Sequence, residues 1–321
     1  MPGYSLSTDL RIVSLCAPAA ERDPTHDKVS STAAVIAAST VFLSREKFAG
    51  QLVSRCAAEL SELFLRHLPQ PARFLLRTLS AGAFRPLGRL IEHATVPGIQ
   101  LHYALRKLHL EQAARRFIRE GGDQCVVLGG GFDTLAIRLA DEYPHVRFVE
   151  VDRPATQEIK TAALARSAHR GNPLFLPLEL PNEGFAQALA SCSGRRTAER
   201  SLFVAEGLLM YLARTAVESL FGTVCRLAPP GSLFAFTFME KDADGRVTFR
   251  EQGKVVDLWL RLRGEQFAWG IARKEIAAFV ATFSFRVREV LTSADLRALY
   301  LPDGSHLPVA EGECVCVAER I

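Results

Sequence analysis

From Gln124 onward, short apolar runs alternate with stretches whose apolar residues recur at helical spacing. The runs predict strands at 125–128, 146–151, 174–178, 201–205, 233–238, 284–290 and 314–318. Helical periodicity between them predicts helices at 134–140, 155–166, 185–190, 214–227 and 274–282. Such alternation implies an α/β fold with a seven-stranded, mostly parallel sheet. Before Gln124 the pattern is helical. One helix begins near Ser30, whose hydroxyl can cap it, and others cover 54–68 and 71–79. The segment 80–88, SAGAFRPLG, reads as a turn-rich joint. An amphipathic helix over 103–122 is stopped by Gly121 and Gly122. This preamble is longer than a sheet-flanking helix requires, so its first part reads as a cap over the ligand cleft. The predicted organisation is an irregular, flexible arm at 1–27, a helical cap and lead-in helix at 28–123, and a core at 124–321. An insert at about 240–270 carries the helix-like GKVVDLWLRLRG and is placed to wall a substrate pocket.

The densest signal lies at 124–160. An apolar strand is followed by Gly129, Gly130 and Gly131, then a helix, then a second strand ending in Asp152. Strand, glycine turn, helix, strand and acid make a nucleotide-binding unit, with turn and acid about twenty residues apart. Glycines let a ligand approach the backbone. The helix N-terminus offers free N–H groups, and the acid can accept hydrogen bonds from ribose hydroxyls. Thr134 stands where the dinucleotide fingerprint needs its last glycine, which disfavours a nicotinamide cofactor. A nucleoside without pyrophosphate, such as S-adenosylmethionine (SAM), fits better. Glu150 competes with Asp152, being two residues earlier on the same strand face.

LGGGFDT, FVEVDRP and VAEGLLMYL, in this order and spacing, resemble the leucine carboxyl methyltransferase family. The resemblance runs from about Ser30 to Tyr300. It implies a Rossmann-like class I methyltransferase fold with SAM as cofactor. It also implies site roles. Asp152 would hold the ribose, and Glu206 the SAM ammonium. Arg106 would bind the SAM carboxylate. Glu179 and Leu180 stand where the family places Asp-Leu around the adenine, so the acid is one methylene longer. Tyr211, just beyond Glu206, can reach the methyl-transfer zone and is the catalytic candidate. Segment 30–32 matches an N-terminal S-x-TA pattern, but Thr32 stands where phosphatase-modifying members carry a lysine.

Composition adds exclusions. Net charge is +4 with no basic run interleaved with aromatics, so nucleic acid is not an expected partner. No apolar stretch reaches membrane-spanning length, and the N-terminus is a poor signal peptide, so no membrane partner and a cytoplasmic location are expected. Seven cysteines lack any C-x-x-C pair and read as reduced thiols, most of them buried; no metal site is expected. His145, His169 and His306 lie near predicted loops, with no catalytic grouping. Without an evident base, the expected reaction is O-methylation of a carboxylate or acidic hydroxyl on a small organic molecule, such as a secondary metabolite. The alternatives are a non-catalytic SAM-binding protein and a methyltransferase of a protein C-terminal carboxylate. Either a monomer or a homodimer fits the sequence.

Overall fold

The computed structural model describes residues 29–80, 84–167, 173–192 and 199–321. The arm expected at 1–27, with Cys16, and His169 lie outside the described residues.

Seven strands form one sheet in the order β3-β2-β1-β4-β5-β7-β6. They are β1 Gln124–Leu128, β2 Arg147–Asp152, β3 Leu174–Pro177, β4 Ser201–Ala205, β5 Leu233–Met239, β6 Phe285–Leu291 and β7 Glu313–Arg320. Neighbours from β3 to β5 are parallel, and β7 runs antiparallel to both β5 and β6. All seven strands match the apolar runs to within a residue or two at nearly every end. Both sheet faces are covered, which is why β1 and β4 are buried at every position and, after Gln124 and Ser201, apolar throughout rather than alternating. Val126, Val149 and Phe203 pack on one face, and Cys125, Phe148 and Leu202 on the other. Cys314 and Cys316 share one face, as their alternation requires.

Before the sheet come α1 Ser31–Ser44, α2 Arg55–His67, α3 Ala72–Ser80, α4 Arg85–Thr95 and α5 Ile99–Arg119. Within the core lie α6 Leu135–Glu142, α7 Pro154–Leu164, α8 Phe185–Cys192 and α9 Arg214–Leu227. Then come α10 Lys254–Arg263, α11 Ile276–Ala281 and α12 Ser293–Tyr300. Ser30 caps α1 by accepting the Ala33 N–H, and Ser54 caps α2 through Ala57 N–H. The expected joint at 80–88 is overtaken by α4, because Pro86 occupies the first turn, where proline needs no N–H donor. The sequence reading missed α12. It is a single short helix fixed by a Thr292–Asp295 capping box rather than by a long apolar period. No helix among the described residues is long and apolar enough to cross a membrane.

Aromatic packing holds the β5 side together. Phe221 of α9 is fully buried, with ring centroids 4.8 Å from Phe234, 5.2 Å from Phe236 and 5.1 Å from Phe279. Phe221→Ala is expected to destabilise the protein by about 3–5 kcal/mol, because three ring neighbours cannot collapse into the hole together. Urea unfolding checks this; an unchanged midpoint would show that the cluster is not a single packed unit.

Candidate functional site

After β1 the chain turns through Gly129 and Gly131, whose φ angles of 66° and 50° are left-handed and suit glycine. A Cβ on Gly130 would sit 2.6 Å from the Glu150 side chain. The two acids of β2 therefore have different places. Glu150 is buried beneath the turn and takes the Lys160 ammonium at 2.6 Å, yet burial still pushes its carboxyl up. Asp152 reaches the cavity. Its Oδ2 accepts the Gly131 N–H, and its Oδ1 accepts the Arg153 N–H at 2.6 Å. Burial raises the Asp152 pKa, while those amides oppose the rise.

A charge network meets this turn from α5. Arg106 Nε donates to Glu206 at 2.9 Å, and its Nη1 donates to Glu313 of β7. Lys107 Nζ lies 2.9 Å from Asp133 and 2.9 Å from Glu206. His102 Nε2 lies 2.7 Å from Glu313. Burial works against the charges of Arg106, Lys107 and Asp133, and their partners outweigh it. Arg106 and Lys107 sit above their ordinary pKa values, and Asp133 sits below its own. Burial likewise opposes the Glu313 charge, but Arg106 and His102 hold its carboxyl down at about 2.

These residues wall a cavity of about 340 Å³. Its wall includes Gly129, Gly130, Gly131, Asp152, Arg106 and Glu206. Helix α1 closes another side, through Thr32, Ala33 and Ile36. The donor set fits SAM. Asp152 stands at the strand end for ribose hydroxyls. Two cations against the three carboxylates Asp133, Glu206 and Glu313 leave one negative charge, the complement of a cofactor that carries an ammonium and a sulfonium beside one carboxylate.

A second cavity, of about 410 Å³, adjoins the first. Phe42, Val256, Trp259, Leu260 and Phe267 are among its walls, and Glu92 is its one acidic residue among the described residues. The cavities share Thr32, Ile36, Gln100, Tyr103, Arg106, Gly207 and Tyr211. At this junction burial raises the Tyr211 pKa, and the Thr32 hydroxyl partly offsets it. Burial also pushes Tyr103 up to about 12, with Arg106 stacked 4.7 Å from its ring centroid. Both phenols are therefore neutral O–H groups at ordinary pH.

The insert closes over this junction. The Glu265 carboxylate, just past α10, accepts the Ser31 and Thr32 N–H groups at 3.0 Å each. It also accepts the hydroxyls of Ser30, Ser31 and Thr32. An acid at a helix N-terminus satisfies orphan donors and the helix dipole together.

The geometry brings together most residues named from sequence: Arg106, the three glycines, Asp152, Leu180, Glu206 and Tyr211 all line the first cavity. Glu179 does not join them. Leu178 and Leu180 form the wall on either side of it, and its carboxylate lies 3.4 Å from Arg153 Nε. His145 and His306 line neither cavity. Cys125, Cys314 and Cys316 are buried thiols, while Cys56 and Cys225 are half-buried. Several participants escaped the sequence reading, among them His102, Tyr103 and Glu92. Asp133 was legible, as an acid inside the glycine turn. Glu313 left a fainter mark, a lone acid heading the apolar strand ECVCVA. Lys107 and Glu265 left none, since surface-type charges are common on helices and inserts.

The leucine carboxyl methyltransferase family model matches residues 33–225, more than half the chain. A protein of Frankia alni, named "Putative S-adenosyl-L-methionine-dependent methyltransferase", is 33% identical over 141 residues, 43% of this chain and 48% of that one. One of the same name from Mycobacterium avium is 36% identical over 149 residues, 45% and 47% of the two chains. The chain spans about half the length of the curated relatives it matches. Among solved structures, a putative methyltransferase from Thermobifida fusca superposes with a TM-score of 0.54 at 16% identity, covering 92% of this chain and 96% of that one. A DUF574 family protein from Streptomyces avermitilis does so with a TM-score of 0.50 at 13% identity, covering 92% and 100%. At such identities the likeness establishes a shared fold, the class I methyltransferase sheet with helices on both faces.

Two expectations follow. Asp152→Ala and Glu206→Gln should each weaken S-adenosylhomocysteine binding roughly 10- to 100-fold, the loss of about 1.5–3 kcal/mol for a hydrogen bond to a charged group. Calorimetry reads this directly, and unaltered affinity in both would remove these residues from the site. Glu313 sets a pH dependence. Its pKa is depressed in the fold, so its contribution is complete above the ordinary value of 4.5 and fades as pH falls through about 2. Stability to urea should fall over that window, and Glu313→Gln should flatten the fall while destabilising the protein at neutral pH by on the order of 3 kcal/mol. An identical acid limb in the variant would contradict this.

Proposed function

Because the chain belongs to the leucine carboxyl methyltransferase family, whose relatives are named SAM-dependent methyltransferases, we propose that it methylates an oxygen of a small, largely apolar organic molecule. The observation that carries this reading is the second cavity, apolar and joined to the charged one at Tyr211, Tyr103 and Thr32. A methyl donor held in the first cavity and an acceptor in the second would meet at that junction.

SAM, when bound, supplies a methyl group on a good leaving group. The protein's task is then mainly alignment and exclusion of water. Asp152 takes the ribose hydroxyls. Glu206 takes the ammonium, and Arg106 with Lys107 takes the carboxylate, a pairing suited to a guanidinium. Leu178 and Leu180 flank the adenine, and Glu179 reaches its amino group only by leaving Arg153. Tyr211 and Tyr103, held protonated by burial, orient the acceptor oxygen by hydrogen bonding and do not act as bases. Such donors suit a nucleophile that arrives already ionised. The preferred acceptor is therefore an apolar carboxylic acid or an acidic phenol.

A neutral hydroxyl would need a base. Glu92 is the carboxylate in the apolar wall; burial raises its pKa, and the Gln100 N–H bonds to it at 3.1 Å. That arrangement favours a second reading, with Glu92 as proton acceptor for an alcohol.

The test combines the purified protein, SAM and a panel of aliphatic acids, phenols and alcohols. S-adenosylhomocysteine should accumulate together with a methyl ester or methyl ether. SAM binding without turnover on any member would instead favour a non-catalytic binding protein. Tyr211→Phe should lower kcat about tenfold with little change in SAM affinity, the scale of one hydrogen bond near the reacting oxygen. Glu92→Gln should leave an acid substrate's pH profile unchanged; loss of activity with a sigmoidal pH dependence would transfer the assignment to the alcohol reading.

A further inference from the structure

The apolar cavity opens through a collar made of α3, α4 and α10, which adjoin one another in that order. Leu75, Ile91 and Val255 line the cavity and are also exposed, so they mark its mouth. The collar is poorly buried. Helix α4 buries none of its residues, and α10 buries only Leu260. Its outer surface is apolar: Leu262 is 77% exposed, Val255 70%, Phe74 69%, Leu90 63% and Leu258 58%. Single exposed leucines are ordinary on soluble proteins. These are not scattered. Leu87, Leu90 and Ile91 share one face of α4, as do Val255, Leu258 and Leu262 on α10.

The exposed charges carried on these three helices have one sign, with the acid Glu251 just before α10. Arg77, Arg89, Lys254, Arg261 and Arg263 are the exposed charged residues of the three helices, and all are basic. The two acids within the helices, Glu92 and Asp257, are half-buried and engaged with Gln100 and Gln252. Arg89 is shared with Glu46 of the cap. Apolar stripes flanked by cations on short amphipathic helices are what an interfacial membrane helix presents. An uncharged or acidic protein partner would match the stripes or the cations; an anionic lipid surface matches both.

We propose that α3, α4 and α10 form a docking face for an anionic lipid surface, so that the apolar cavity takes its acceptor from the bilayer. The docking face stands without the methyl-transfer reading; only the fate of the lipid-borne molecule rests on it. Spanning length is irrelevant to such contact, which is why a sequence without a membrane-crossing stretch gave no sign of it.

The experiment is co-sedimentation of the full chain with vesicles of phosphatidylcholine alone and of phosphatidylcholine mixed with phosphatidylglycerol, at low and high salt. Binding to the anionic vesicles, weakened by salt, is expected. Leu90→Glu with Leu262→Glu should reduce it by about tenfold or more. Lys254→Glu and Arg261→Glu should reduce it about fivefold for each cation lost. None of these four residues lines either cavity. The variants should therefore keep the parent's melting temperature and S-adenosylhomocysteine affinity, which separates this test from that of the proposed reaction. The proposal is overturned by absence of binding to anionic vesicles, or by equal binding of the double variant. It is also overturned by a dimer, seen in light scattering, that Leu262→Glu dissolves, since a second copy would then be what covers the face.

Discussion

Arg106 and Lys107 are consecutive on α5, and between them they hold three carboxylates that the sequence supplies far apart. Asp133 comes from the turn after β1, Glu206 from the end of β4 and Glu313 from the start of β7. Removing ions from water is costly, and each buried charge is tolerable only with partners in place. The arrangement therefore forces a shape. Helix α5 must lie along one face of the sheet with Arg106 and Lys107 at the carboxyl end of its centre, and the β1 turn must stay close to the β4 end. Substituting one partner leaves the others buried and unpaired, so the network's value lies less in added stability than in fixing this one geometry. The charge it leaves uncompensated sits at the cavity wall, where a cationic ligand would complete it.

A second tie governs the other side of the site. Glu265 joins the insert to the first turn of α1, although the two are more than 230 residues apart. That contact holds Thr32 at the junction of the cavities, beside Tyr211. The cap and insert thus act as one wall with a polar seam. Inside it are charged and apolar chambers; outside it is the basic, apolar collar. The seam consists of five hydrogen bonds to one carboxylate, and such bonds exchange with water far more readily than packed rings do. Opening of the chambers is therefore expected to begin there rather than in the phenylalanine cluster around Phe221.

Most of the sheet was legible because its inner strands are buried on both faces and read as largely apolar runs between turn residues, whereas the edge strand β6, with Arg286 and Arg288 exposed, is read from its alternation. The glycine turn and Asp152 were legible because a nucleotide site needs those residue types at that spacing. Helix α12 was not, since a capping box over eight residues carries little periodicity. The placement of Glu179 was not either: two residues past the end of β3, direction depends on a backbone bend that no local pattern encodes. Glu313 and Glu265 become meaningful only through partners more than 200 residues away. The exposed face of α3, α4 and α10 was not legible for a related reason. Its apolar residues have the spacing of a buried face, and only the fold shows that nothing among the described residues covers Leu90 or Leu262.

Dividing the site into a charged chamber and an apolar one has a chemical consequence at the boundary. Low polarity in the apolar chamber strengthens every hydrogen bond made there, because little water competes. The same burial keeps Tyr103 and Tyr211 protonated, so they can donate to an oxygen but cannot take its proton. Arg106 faces both chambers and is paired with Glu206 and Glu313; in the proposed reaction these carboxylates and that of SAM would share its charge, so it would not hold an acidic acceptor too tightly to react. An ionised oxygen in that position would meet neutral donors and few counter-charges. It would be oriented but poorly solvated, and that condition leaves a nucleophile reactive toward a cationic methyl donor.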